Sequence, residues 1–143
     1  MQKKLFWLLA VLMVATAWGA GNSATTRFVV SVPEILILKI NGVASGDVPV
    51  TVKDGKVDPG VLRVEVVANT GWRLTVRATP LEGPVELPPE RLLLDGRKLS
   101  LMEQTVRLGS GAARFELPLA VELMPGEPDG EYHSLLTFEL YKL

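Results

Sequence analysis

The chain offers few groups able to do chemistry. His133 is its only imidazole, and there is no cysteine. A Ser–His–acid relay would need His133 beside a serine and a carboxylate. No Gly-x-Ser-x-Gly elbow is present, and Gly109-Ser110-Gly111 has no strand–turn–helix pattern around it. His133 alternates to the outer face of the last predicted strand, opposite Tyr132, and reads as a solvent-facing strand residue. Glu127, Asp129 and Glu131 place oxygen ligands at every second residue of a Gly/Pro-rich stretch, a spacing that can surround Ca²⁺, and Asp54, Asp58 and Gly60 invite the same thought. The twelve-residue EF-hand pattern is missing, and Asp and Gly are also what tight turns demand. Gly109 and Gly111 with Arg107 and Arg114 could cradle an anion, but no helix is predicted after them to add its N-terminal dipole. The inward phase of Trp72 points to core rather than to a sugar-stacking platform. No catalytic, cofactor or metal residue is therefore assigned, and the chain is expected not to be an enzyme.

Composition narrows the classes further. Fifteen Lys plus Arg face sixteen Asp plus Glu in 143 residues, a formal charge of -1, which argues against a basic nucleic-acid surface. With 48% hydrophobic and 22% charged residues the chain is not disordered. Zero cysteine excludes a disulfide scaffold, a cysteine-ligated zinc or iron–sulfur site and a thiol nucleophile. Asn (three) and Gln (two) are scarce and Arg (eight) slightly exceeds Lys (seven), a weak lean toward a heat-adapted source.

The first twenty residues read as an address. Met1-Gln2-Lys3-Lys4 is a basic start, Leu5 to Ala15 an apolar stretch, and Ala15, Ala17, Gly19 and Ala20 supply small residues for cleavage. That layout is a secretory signal peptide. The rival is an uncleaved anchor, for which the apolar run is short against the roughly 20 residues a spanning helix needs. Removal of residues 1–20 leaves 21–143 as one domain with a charge near -3. Its expected location is periplasmic, cell-surface or secreted, with membrane contact only during export.

The elements that must position these residues are strands. Leu62, Val64, Val66 and Ala68 alternate with Arg63 and Glu65, and after Thr70-Gly71 the alternation resumes with Trp72, Leu74, Val76 and Ala78. Period two on both sides of a turn signal predicts a β-hairpin. Phe115, Leu117, Leu119, Val121 and Leu123 share a face, with Pro118 marking an edge strand or a break. Met124 to Gly130 is a turn, and Tyr132, Ser134, Leu136, Phe138 and Leu140 form the inner face of a last strand. Ile35 to Ile40, nearly all apolar, predicts a strand covered on both faces, followed by an Asn41-Gly42 turn and a strand from Val48 to Lys53. Residues 79–112 carry Pro80, Pro84, Pro88 and Pro89. They allow short strands at Arg91 to Leu94 and Ser100 to Leu108 around Asp95-Gly96, or one helical turn within Leu99 to Val106. The expected fold is all-β: an immunoglobulin-like antiparallel sandwich of about seven strands.

Gly130-x-Tyr132 opening an alternating terminal strand resembles the closing strand of spore-coat-protein-U-like domains, which are similar to subunits of archaic chaperone–usher pili. Trp72-Arg73-Leu74 is similar to a unit of the Trp-x-Leu surface domains of some Gram-positive bacteria, with Phe138-Glu139-Leu140 where a second unit would stand. The chain departs from these families in having no cysteine pair and no second tryptophan in that place. The resemblance implies a non-catalytic structural or adhesion-type module of the bacterial envelope, a pilus-like or coat subunit joined by strand donation. Its partners would be other envelope proteins or copies of itself, and no nucleic acid. The donor would be Thr25 to Val32, with Phe28, Val30 and Val32 as pegs; the plainer reading of Phe28 to Val32 is an ordinary first strand of its own domain. The alternative is a secreted β-sandwich that binds a glycan or calcium.

Overall fold

The computed structural model describes residues 11–16 and 25–143. The chain divides after Glu34 into two units. In the first, β1 (Val11–Thr16) and β2 (Thr25–Val30) form an antiparallel pair, Val11 opposite Val30 and Thr16 opposite Thr25. The rest of the expected leader lies outside the described residues. Among the described residues no helix is long and apolar enough to cross a membrane.

The second unit, Ile35–Leu143, is an all-β sandwich. Its strands are β3 (Leu36–Ile40), β4 (Asp47–Lys53), β5 (Lys56–Asp58), β6 (Val61–Ala68), β7 (Gly71–Ala78), β8 (Leu92–Leu94), β9 (Arg97–Lys98), β10 (Gln104–Ser110), β11 (Ala113–Val121) and β12 (Glu131–Lys142). One sheet runs β10-β7-β12-β4-β5 and the other β3-β6-β11-β8-β9, every pairing antiparallel. Without the three shortest strands, β5, β8 and β9, seven long ones remain.

The core lies between the inner faces that the alternation marks. Leu62, Val64 and Val66 of β6 and Leu117 and Leu119 of β11 meet Val48, Val50 and Val52 of β4, Trp72, Leu74 and Val76 of β7, and Tyr132, Leu136 and Phe138 of β12. Burying each large side chain contributes about 1.5–3 kcal/mol, and the chain has no disulfide to add to it.

Four local expectations change. First, β6 and β7 are not a hairpin, because they belong to different sheets. Each must bury its apolar face, and the link between them lacks the positive φ angles of a tight hairpin turn. It arches from one sheet to the other. The tight turns are elsewhere: Asp54-Gly55 joins β4 to β5 and Asp95-Gly96 joins β8 to β9, with φ of 53° and 75°, and of 52° and 82°. Second, β11 is central rather than an edge. It pairs with β6 up to Pro118 and with β8 from Leu119, so the residue without an amide hydrogen sits where the ladder changes partner. Third, among the described residues β3 is an edge strand, paired along its length only with β6, and Leu36 to Lys39 are half-buried rather than covered. Fourth, the only helical turn in the 79–112 region is Pro89–Arg91, while Leu99 is buried core and Gln104 already begins β10.

Candidate functional site

Most of the residues that invited chemistry are committed to structure. Trp72, 1% exposed, stacks on Phe115 with ring centroids 6.3 Å apart and donates from Nε1 to the Gly111 carbonyl at 2.8 Å. Gly109 lies opposite Trp72 in the ladder, and a Cβ there would run into the indole. The Arg107 guanidinium lies 4.0 Å from the Phe115 ring centroid, and Arg114 pairs with Glu65 at 3.1 Å. The segment is thus a packing device: Gly109 makes room for the indole, Gly111 accepts its N–H, and the arginines have other partners.

The carboxylates are held apart. Glu127 forms a bidentate pair with Arg91, Oε2 to Nη2 at 2.7 Å, the two side chains 15% and 19% exposed, and accepts the Met124 amide at 2.7 Å. The Arg91 hydrogen bond, helped by the Met124 amide, holds this carboxyl below its usual pKa, and Glu127 in turn raises that of Arg91. Glu131 instead reaches His133 Nε2 at 2.9 Å on the outer face of β12. Thr51 of the adjacent β4 stands 3.4 Å from His133 Nδ1. Hydroxyl, imidazole and carboxylate therefore line up, but His133 and Glu131 are 60% and 49% exposed on an open sheet face and the 3.4 Å contact is long for a proton relay. Among the described residues no group of three or more His, Asp or Glu is arranged to hold a metal ion.

The outer face of the other end of β7 and β12 carries a network that sequence reading missed. Glu103, in the bend before β10, accepts the Thr75 hydroxyl at 2.9 Å and the Tyr141 hydroxyl at 2.7 Å. Thr75 is thereby buried though it points away from the core. Arg77 pairs with Glu139 at 3.2 Å, and Arg73 lies over the Tyr141 ring, 5.1 Å from its centroid. The hydrogen bond to Glu103, then burial and Glu139, push the Tyr141 phenol up to about 12, while the same hydroxyls lower Glu103. A phenol made less acidic is no activated nucleophile, so this network seals a face.

Gly130-x-Tyr132 also has a structural meaning. Tyr132 is fully buried and its hydroxyl donates back to the Pro128 carbonyl at 2.6 Å, the geometry of a tyrosine corner. Gly83 packs on its ring so closely that a Cβ would lie 2.6 Å from it.

Among the described residues, β3 is a sheet edge with unpaired backbone groups. Ile35 donates to Asn69 Oδ1 and accepts its amide, at 2.9 and 3.2 Å, and the Asn41 amide donates to the Arg63 carbonyl at 2.8 Å. Odd-numbered residues of this strand therefore face β6, and the N–H and C=O groups of Leu36, Leu38 and Ile40 face the open side. Those of Ile40 are taken by Val43, at 2.9 and 3.0 Å. Among the described residues no strand lies beside Leu36 and Leu38 on that side, and Ile35, just before them, is 39% exposed.

No family model, no curated protein and no solved structure matches this chain.

Proposed function

We propose that this chain is an exported, non-catalytic structural or adhesion-type module of the bacterial cell envelope, a pilus-like or coat subunit that assembles by donating the strand Thr25 to Val32. The observation that carries the reading is the pairing of β2. Thr25–Val30 is a formed strand, yet its ladder partner is Val11–Thr16, which falls within the expected leader. Removal of the leader leaves a strand with unpaired amides and carbonyls, and such a strand seeks another edge. The commitment of His133, Glu127, Glu103 and Trp72 to local partners supports a module that acts through its surface rather than through a reaction.

The test is to express the full-length precursor in a bacterial host, collect the exported product, determine its N-terminus by mass spectrometry and size it. The reading expects cleavage within Ala15 to Ala20 and species larger than one chain, lost when residues 25–32 are deleted. A processed product that stays strictly monomeric, with Phe28 protected from protease, overturns assembly. An intact leader overturns the export step.

A further inference from the structure

We infer that the free edge of β3 is the docking site for the β2 segment of a second copy of this chain, in antiparallel register with Val30 opposite Leu38 and Val32 opposite Leu36. The inference rests on the reading above and adds where the donated strand goes.

The sandwich has four strand edges, and three are blunted. Strand β9 has two residues, both exposed and basic, Arg97 and Lys98. Strand β5 has three and is followed at once by Pro59. Strand β10 is bulged between Thr105 and Arg107, which turns Arg107 to the side of Leu74, and the Arg97 side chain occupies the Thr105 carbonyl at 3.1 Å. Bulges, short length and charge are the means by which edges are kept from pairing. Strand β3 has no bulge and no proline, and four of its five residues are apolar.

Electrostatics and chain connectivity select the register and the source. Placing Phe28 opposite Leu38 would set Arg27 against Lys39, like charges facing each other. A shift of two residues places Val29 opposite Lys39 and Ser31 opposite Ile37, and seats Val30 and Val32 on the core side. In that register a chain folding back on itself would have only Pro33, Glu34 and Ile35 for its turn. Residues 31–35 form no turn or bend, Glu34 and Ile35 do not take positive φ, and both backbone groups of Ile35 are bound to Asn69. A three-residue hairpin classically ends in a left-handed residue, which favours a strand from another copy on β3. Because donor and acceptor are different patches, the contact is heterologous and propagates unless it closes into a ring.

The absence of cysteine makes the test clean. Ser31→Cys and Ile37→Cys variants, each exported from the full-length precursor, are mixed and mildly oxidised. The expected result is a disulfide-linked pair in at least tenfold higher yield than from Ser31→Cys with Leu108→Cys on the β10 edge. Val29→Cys with Lys39→Cys is the second pair, should either first variant fold poorly. Assembly that persists while the cross-link forms to Leu108→Cys overturns the assignment to β3 and leaves strand donation standing. A Ser31→Cys/Ile37→Cys double variant that closes an internal bond as a monomer overturns both, as does a monomer with no cross-link.

Discussion

The start of β12 and the edge at β3 are both places where a strand meets a turn, and they are finished in opposite ways. At the first, Tyr132 is fully buried, its hydroxyl is tied to Pro128, Gly83 lies against its ring, and the Arg91–Glu127 pair clamps the preceding loop. At the second, Leu36 to Lys39 are half-buried, and the outward backbone groups of Leu36 and Leu38 have no strand beside them among the described residues. The same sequence that closes one corner with several redundant contacts leaves the other to a short apolar strand.

Substitutions in the closed part of the sandwich should cost stability, and the largest loss is expected in the core at the other end of β12, where Trp72 pairs with Lys142. Trp72→Ala removes the indole that stacks on Phe115 and binds Gly111 and should cost about 3–5 kcal/mol, read as a lowered midpoint in guanidinium unfolding. Gly109→Ala pushes a methyl into the same indole and should cost about 1–3 kcal/mol. If Gly109→Ala were neutral, the β10 edge would be more pliable than its bulge implies. Tyr132→Phe keeps the ring and loses only the bond to Pro128, so about 0.5–1.5 kcal/mol is expected. A loss near zero would mean that the corner is held by packing alone.

The residues whose environments follow from alternation were readable from the chain. Leu62, Val64 and Val66, Trp72, Leu74 and Val76, and Tyr132, Leu136 and Phe138 face the core as their spacing requires. Period two says which way a side chain points; it does not say which sheet a strand joins. That is why Val61–Ala68 and Gly71–Ala78 read as a hairpin and are instead split between sheets. A run of apolar residues is equally mute about cover, so Ile35 to Ile40 read as buried when it is an edge. The Glu103–Thr75–Tyr141 network was invisible because its members are separated by up to 66 residues in sequence and joined only by the β7–β12 pairing. Gly130-x-Tyr132 was noticed as a motif, and its reason appears only once the hydroxyl is seen to reach Pro128.

Stability should respond to pH at both ends of the scale, by less than the core substitutions. Glu127 and Glu103 have folded pKa values below the ordinary 4.5, so their contributions are present above that value and lost as the pH falls through the lowered ones. Tyr141 has a folded value of about 12 against an ordinary 10, so its contribution is complete below 10 and lost as the pH rises through 12. Melting temperature against pH should show a plateau with two falling limbs. Glu127→Gln should flatten the acid limb and Tyr141→Phe the alkaline one. An unchanged acid limb in Glu127→Gln would show that the Arg91 clamp does not hold the loop in solution.

The smallest effect on stability belongs to the open side. Ile37 is half-buried on the face of β3 away from the core, and a lysine there sits two residues from Lys39 on the same face. Such a surface change should leave the unfolding midpoint within about 0.5 kcal/mol of the parent. It also puts a second positive charge on the edge, a means by which sheets refuse new strands. Ile37→Lys should therefore abolish assembly of the exported protein by sizing while its unfolding curve overlays the parent's. The mirror-image control is Tyr132→Phe, which should weaken the fold and leave assembly intact. Were Ile37→Lys to lower stability as much as Tyr132→Phe does, β3 would be an ordinary part of a finished sandwich, and the contrast between a closed corner and an open edge would disappear.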